Sequence, residues 1–313
     1  MRRLIVSLAA VAGSWLATPT MADPFPPVAL PGVSIGSGLP SGYEPSGAVW
    51  HTDLGKFFTV DDGGRVSSMN SDGTSVFSWT LSGNPDLEGI CVADASSDFI
   101  YVGVENPDSI AEFDIDTGSV TRTFDLTTWM TGPSNRGLEG LTFVPDAGNP
   151  EGGLFYAGLQ NDGKIFTFEL PITTSATSTT VTPVATIVPV AGRTDISGLH
   201  YDVDNEVLYA SFDSADKLRA MEDDGTLLIE WDLPGSDQEG VTLAWPTLFI
   251  SEDTVNGDIL KYAPFPAVPD TATEWRNYWL IASGFMFVVL VLFSVLFRDD
   301  PSGRAANAEA PAA

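Results

Sequence analysis

Five times along this chain a glycine that opens an apolar strand follows Glu or Ser. The blocks are Glu44-Pro45-Ser46-Gly47, Asp86-Leu87-Glu88-Gly89, Gly137-Leu138-Glu139-Gly140, Asp195-Ile196-Ser197-Gly198 and Asp237-Gln238-Glu239-Gly240. The glycines are spaced 42, 51, 58 and 42 residues apart, a period that marks radial or stacked repeats. Within one repeat four antiparallel strands can be read: Ile90 to Ala93, Phe99 to Val104, Ile110 to Asp114 and Val120 to Leu126. Asp-Gly turns such as Asp72-Gly73 and Asp224-Gly225 recur between the third and fourth strands, where they supply the positive φ of a hairpin.

The fifth repeat, Glu239 to Tyr262, holds only three strands. The missing one is expected from the other end, where Val28-Ala29-Leu30-Pro31-Gly32-Val33 echoes Trp231-Asp232-Leu233-Pro234-Gly235. Closing a ring in this way removes open sheet edges. The expected fold is an all-β, five-bladed β-propeller over residues 23–262, closed by an N-terminal outer strand. Six blades stay open as an alternative, because the third repeat is stretched by the Thr/Ser-rich tract Pro171–Thr182, read here as a solvated excursion. A composition with 43% hydrophobic residues, 30 Gly and 22 Pro suits many short strands and tight turns.

Both ends read differently. Residues 1–22 carry Arg2 and Arg3, the apolar stretch Leu4 to Ala12 and a small-residue site at Thr20-Met21-Ala22, the pattern of a secretory signal. A Pro-rich stalk follows the propeller over 263–276. Residues 277–297 then run without a charge through Phe285-Met286-Phe287-Val288-Val289-Leu290, which predicts a transmembrane helix, and 298–313 would form a cytoplasmic tail. The expected location is the bacterial inner (plasma) membrane, single-pass, with the propeller on the periplasmic, extracytoplasmic side and the membrane engaged through the C-terminal helix.

The formal charge is −28, with 42 acidic and 14 basic side chains. Such a field repels nucleic acid and anionic lipid and suits divalent cations or a saline medium. The single cysteine, Cys91, sits in the run Ile90-Cys91-Val92 and reads as a buried, inert thiol.

In a propeller the inner strand begins on the face to which the second strand returns, so two families of side chains converge there. One is Ser46, Glu88, Glu139, Ser197 and Glu239. The other is Asp61, Glu105, Gln160, Asp213 and Glu252, with a latitude of a residue or two at Asp61/Asp62 and Glu252/Asp253. Carboxylates about 5 Å apart at an effective dielectric near 20 repel by roughly 3 kcal/mol per pair, so either protons or a cation must compensate. An all-oxygen donor set suits Ca²⁺, whereas Zn²⁺ would want His or Cys. His51 and His200 are the only histidines and occupy unlike repeat positions. The expectation is one Ca²⁺ held directly or through water by Glu88, Glu139 and Glu239, with the other members of both families as additional candidates. A plainer alternative is that these acids cap inner-strand N–H groups. Ser46 and Ser197 lack a Gly-x-Ser-x-Gly setting, which disfavours a serine hydrolase.

The blocks Asp86-Leu87-Glu88-Gly89-Ile90, Gly137-Leu138-Glu139-Gly140-Leu141-Thr142-Phe143, Asp195-Ile196-Ser197-Gly198-Leu199-His200-Tyr201-Asp202 and Gln238-Glu239-Gly240-Val241 resemble those of the SdiA-regulated, YjiK-like family of exported propellers. The resemblance spans roughly residues 40–262 and implies a propeller on the outer side of the inner membrane with a Ca²⁺ site. It extends more distantly to esterase-like phytase and gluconolactonase propellers, whose channel acids hold a catalytic Ca²⁺. The functional expectation is a membrane-tethered, Ca²⁺-binding module for an unidentified protein or small-molecule ligand. The alternatives are a Ca²⁺-dependent hydrolase of a lactone, ester or phosphomonoester, with Glu105 or Glu252 as general base, and a structural subunit of an envelope complex.

Overall fold

Short runs rich in Val, Ile, Phe and Tyr, cut by Gly- and Asp-bearing turns, pair into four-stranded antiparallel sheets. The computed structural model describes residues 25–26, 31–254, 257–268 and 271–296, the last stretch with side chains at 279–281 and 283–294. After β1 (Val33–Ser34), the first blade is β2 (Pro45–His51), β3 (Lys56–Asp61), β4 (Arg65–Met69) and β5 (Phe77–Thr80). The second is β6 (Asp86–Cys91), β7 (Phe99–Glu105), β8 (Ser109–Asp114) and β9 (Ser119–Asp125). The third is β10 (Leu138–Pro145), β11 (Gly153–Leu159), β12 (Lys164–Glu169) and β13 (Thr182–Ile187). The fourth is β14 (Ile196–Asp202), β15 (Val207–Phe212), β16 (Lys217–Met221) and β17 (Leu227–Asp232). The fifth takes β18 (Gln238–Ala244), β19 (Thr247–Glu252) and β20 (Asp258–Tyr262), with β1 as its outer strand. Each inner strand lies beside the inner strand of the next blade, and β18 returns to β2. The ring has five blades.

Closure by the N-terminal strand is as expected. Val33 and Ser34 pair with Lys261 and Leu260. The Ile35 N–H donates to the Ile259 carbonyl at 2.9 Å, and Tyr262 OH donates to the Pro31 carbonyl at 3.0 Å. Residues 28–30 of the expected strand lie outside the described residues.

Apolar faces of adjacent blades supply the core. Between the first two blades, Phe58, Val60, Val66, Ile90, Ile100, Val102 and Phe113 are buried together, and Trp79 stacks on Phe58 at 6.3 Å while meeting Phe113 edge-on at 5.7 Å. Each fully buried side chain of this size contributes about 1.5–3 kcal/mol. Cys91 is among the buried residues, as the sequence predicts.

The stretched third repeat hides no sixth blade. Its excursion is also stapled rather than merely solvated. Arg122 Nη1 donates to the carbonyls of Pro171, Ser175 and Ser178 at 2.9, 2.6 and 3.2 Å. Glu151 accepts from the N–H groups of Thr173 and Thr174 at 2.7 and 3.1 Å. Arg122 is itself ion-paired to the buried Glu112. Its own hydroxyls add local turns, Ser175 Oγ accepting from the Ser178 N–H at 3.0 Å, while Arg122 and Glu151 tie the tract to the neighbouring blades.

The C-terminal expectation needs correction. A separate unit begins at Val268, and its helix α1 spans Thr271–Leu296. Among the described residues no helix is long and apolar enough to cross a membrane, so the transmembrane span at 277–297 does not stand. The expected signal at 1–22 and tail at 298–313 lie outside the described residues.

Candidate metal centre

A β-bulge at the repeated dipeptide builds the site. In all five blades the inner strand gains one residue over its partner, between Pro45 and Ala48, Leu87 and Ile90, Leu138 and Leu141, Ile196 and Gly198, and Gln238 and Val241. A bulge re-aims the side chain beside it and bends the strand. The bulges fall on the Ser/Glu-Gly pairs, inside strands that begin earlier than the sequence reading placed them.

The glycines permit the blades to meet. A Cβ on Gly47 would strike the Glu88 carbonyl, one on Gly198 the Glu239 carbonyl, and one on Gly240 the Ser46 carbonyl; on Gly89 and Gly140 it would lie 2.5 and 2.8 Å from Leu141 and Leu199 side-chain atoms. The space they enclose has no room for a water molecule. The five glycines therefore plug the axis, and the residue before each one stands at the mouth.

There the carboxylates of Asp62, Asp86 and Glu88 present oxygens all within 4.8 Å of one another. The Glu88 carboxyl is pushed well up, first by burial and then by Asp62, Glu239, Asp86 and Glu105. Glu139 is raised by burial, by the charges of Glu88, Glu239 and Glu105, and by a hydrogen bond with Glu88. Glu239 is raised by burial and by Asp213, Asp253, Asp195 and Asp62. Asp253 is pushed up to about 6 by burial and by Asp62, Glu44, Asp237 and Asp213. The three predicted glutamates thus share one electrostatic neighbourhood. None of the ion pairs among the described residues involves Glu88, Glu139, Glu239, Asp62 or Asp253; the cation of this region, Arg136, lies 3.6 Å from Asp195. One oxygen of Glu239, Oε2, is buried without a hydrogen-bond partner.

The second family of side chains divides. Asp61 is not at the mouth: it is fully buried, ion-paired to Arg65, and accepts from the Arg65 N–H at 2.8 Å. Its neighbour Asp62 takes the position instead, accepting from Ser46 Oγ at 2.8 Å. Likewise Glu252 is raised by burial and by Asp258 and Asp237, and Asp253 is the residue felt by Asp62 and Glu239. Successive strand residues face opposite ways, so a one-residue offset moves a side chain off the site. Glu105 Oε1 accepts from Gly137 N–H at 2.6 Å and Asp213 Oδ1 from Gln238 N–H at 3.0 Å, so the plainer capping role holds for these two. Gln160 accepts from Arg136 at 3.4 Å. Ser197 is occupied, donating to the Gln238 carbonyl at 2.7 Å. Sequence reasoning missed Asp86, although Glu44, Asp86, Asp195 and Asp237 all stand three residues before a repeat glycine.

A family model described as "Phytase-like: Esterase-like activity of phytase" matches residues 48–168, a stretch that carries Asp62, Asp86, Glu88, Glu105 and Glu139. No curated protein sequence matches the chain. Among solved structures, glutaminyl cyclase of Myxococcus xanthus superposes with a TM-score of 0.52 at 14% identity, covering 71% of this chain and 90% of that one. A luciferin-regenerating enzyme gives 0.44 at 12% identity over 74% and 96% of the two chains, and the β-propeller domain of Cps50 (Swd1) of Myceliophteria thermophila gives 0.43 at 10% over 68% and 64%. At such identities the first likeness speaks for the propeller fold alone, and the other two add nothing to the argument. In sequence, the chain is similar to phytase-like esterase domains over residues 48–168, the first two blades and the three inner strands of the third.

Proposed function

We propose that the acidic mouth binds a divalent cation, Ca²⁺ by the chemistry of its donors, and that the protein works as a Ca²⁺-binding propeller module. Asp62, Asp86 and Glu88, whose oxygens lie together, would hold the ion, with Glu139 and Glu239 flanking them. The observation that carries this reading is the buried, unpartnered Glu239 Oε2 within a group of carboxylates that no Lys or Arg neutralises. A hard cation requires several oxygen ligands at once, and a cluster of glutamates and aspartates supplies them.

A second reading, hydrolysis of an ester or phosphomonoester, is favoured by the family match over 48–168. When bound, Ca²⁺ would supply polarisation of the scissile oxygen. Of the two acids expected as bases, Glu105 has one oxygen tied to Gly137 and Glu252 faces Asp237 and Asp258. Asp253, with its carboxyl near 6, fits proton transfer from water better.

Calorimetric titration with Ca²⁺ tests the first reading. We expect one saturable event, lost in Asp62→Asn/Asp86→Asn/Glu88→Gln; heats that are absent, or unaltered by the triple change, would overturn it. Turnover of p-nitrophenyl esters and p-nitrophenyl phosphate, with and without chelator, tests the second. Ca²⁺ binding without chelator-sensitive turnover leaves the binding module.

A further inference from the structure

The far ends of the same inner strands line a second cavity that the acidic mouth does not explain. It encloses about 700 Å³, within the range of small-molecule sites. Most of its lining positions lie two to six residues beyond the repeat glycines, roughly 10–23 Å along the strands from the acids at 3.3 Å per residue. The glycine plug, with no room for water, separates the two ends.

Aromatic rings dominate this end, and they are held in place. Trp245 Nε1 donates to the buried carboxylate of Asp202, which also accepts from Asn205 Nδ2 at 2.7 Å. Trp50 lies parallel to Phe249, with centroids 6.3 Å apart and planes at 2°. Tyr201 and Phe143 complete the aromatic lining, and the Tyr201 N–H is fixed by Thr142 Oγ1 at 2.9 Å.

Polar groups stand among the rings. His200 also lines the cavity, and its Nδ1 lies 3.3 Å from Thr242 Oγ1. That hydroxyl already accepts from the Trp50 N–H at 3.1 Å, which leaves its own hydrogen for His200 Nδ1. Burial lowers the imidazole to about 4, so the ring is neutral with its proton on Nε2, the nitrogen that can donate to a ligand. Lys261 and the exposed Asp204 add one charge of each sign.

We propose that this cavity is a second ligand site, and that it takes a neutral, polyhydroxylated ring compound, a saccharide. Flat aromatic faces accept the apolar C–H face of a sugar ring, while the imidazole, the ammonium and the carboxylate exchange hydrogen bonds with hydroxyls. Anions are disfavoured by the −28 field of the chain. A cationic guest is the rival, since Asp204 balances Lys261 and the remaining carboxylate, Asp202, is already held by Trp245 and Asn205.

Intrinsic tryptophan fluorescence and calorimetry with glucose, N-acetylglucosamine, maltose and cellobiose test it, with choline chloride as the competing probe. We expect saturable binding of at least one sugar, equal with Ca²⁺ or chelator. Trp245→Ala and His200→Leu, the latter close in volume but without ring nitrogens, should each weaken it tenfold or more, whereas Glu139→Gln should change it less than twofold. Melting curves confirm that each variant is folded. No saturation by any sugar up to about 50 mM, well beyond the millimolar range of weak specific sites, would overturn the proposal. So would affinity untouched by His200→Leu, or saturation by choline instead. Failure of the Ca²⁺ titration would leave this site standing.

Discussion

Gly240 shows what one missing Cβ does here. Its Cα approaches the Ser46 carbonyl so closely that a methyl group would have to displace backbone of the first blade, and no flexible side chain can yield in its place. Gly240→Ala is therefore expected to cost about 1–3 kcal/mol, the range for forced overpacking. Calorimetry should show a melting temperature lower by roughly 2–12 °C for a domain of this size; an unchanged value would mean the blades stand further apart. At the same scale, Glu112 is buried, yet Arg122 and Thr121 hold its carboxyl below the usual range against that burial. Removing one partner of a buried pair leaves an uncompensated charge. Arg122→Ala is expected to destabilise by about 3–5 kcal/mol in denaturant unfolding and to expose the 171–178 excursion to protease. The paired change Arg122→Met/Glu112→Leu should recover most of the stability but not the protection.

Among the elements, β1 carries more than its two residues suggest. It satisfies the outer edge of β20, and the Ile35 that follows is 5% exposed, packed with Phe57, Met69 and Ile259. Ile35→Ala is expected to cost about 2–5 kcal/mol, as for other buried aliphatic truncations. Hydrogen exchange on the unaltered protein gives a second check: the β20 amides should lose protection before those of β3 or β7. The strands were legible in the sequence because turn chemistry and alternation are local. The bulges were not, since an extra residue is defined only against the partner strand. This is why the sequence leaves a latitude at Asp61/Asp62 and Glu252/Asp253, within which the strand pairing selects Asp62 and Asp253 as the equivalents of Glu105, Gln160 and Asp213. The stapling of the Thr/Ser tract was equally hidden, because Arg122 is 49 residues from its acceptor at Pro171.

Over the whole ring, the mouth acids couple stability to pH and, on the proposed reading, to Ca²⁺. Carboxyls raised in the folded state favour folding of the protonated form, so their contribution is full below the unfolded pKa and is lost as pH rises through the folded value. For Asp253 that window runs from about 4 to about 6, and Glu88, Glu139 and Glu239 shift in the same direction. With chelator present, the melting temperature should fall between pH 4.5 and pH 7. Ca²⁺ at a hundred times its dissociation constant should restore about 2.7 kcal/mol, or roughly 5–10 °C, and more at pH 7 than at pH 4.5. A melting temperature flat in pH and indifferent to Ca²⁺ would remove the metal centre.

By itself the sequence determined the propeller, the closing strand and the three glutamates that stand before glycines, because a repeat states the same local solution several times over, while the choice of five blades over six fell to the structure. The pleat of β3 and β19, the plug made by five glycines and the aromatic cavity beyond it were decided by the tertiary structure alone. The reason is geometric: each is a relation between strands from different blades, and neither residue order nor hydrophobic period records how close two such strands come.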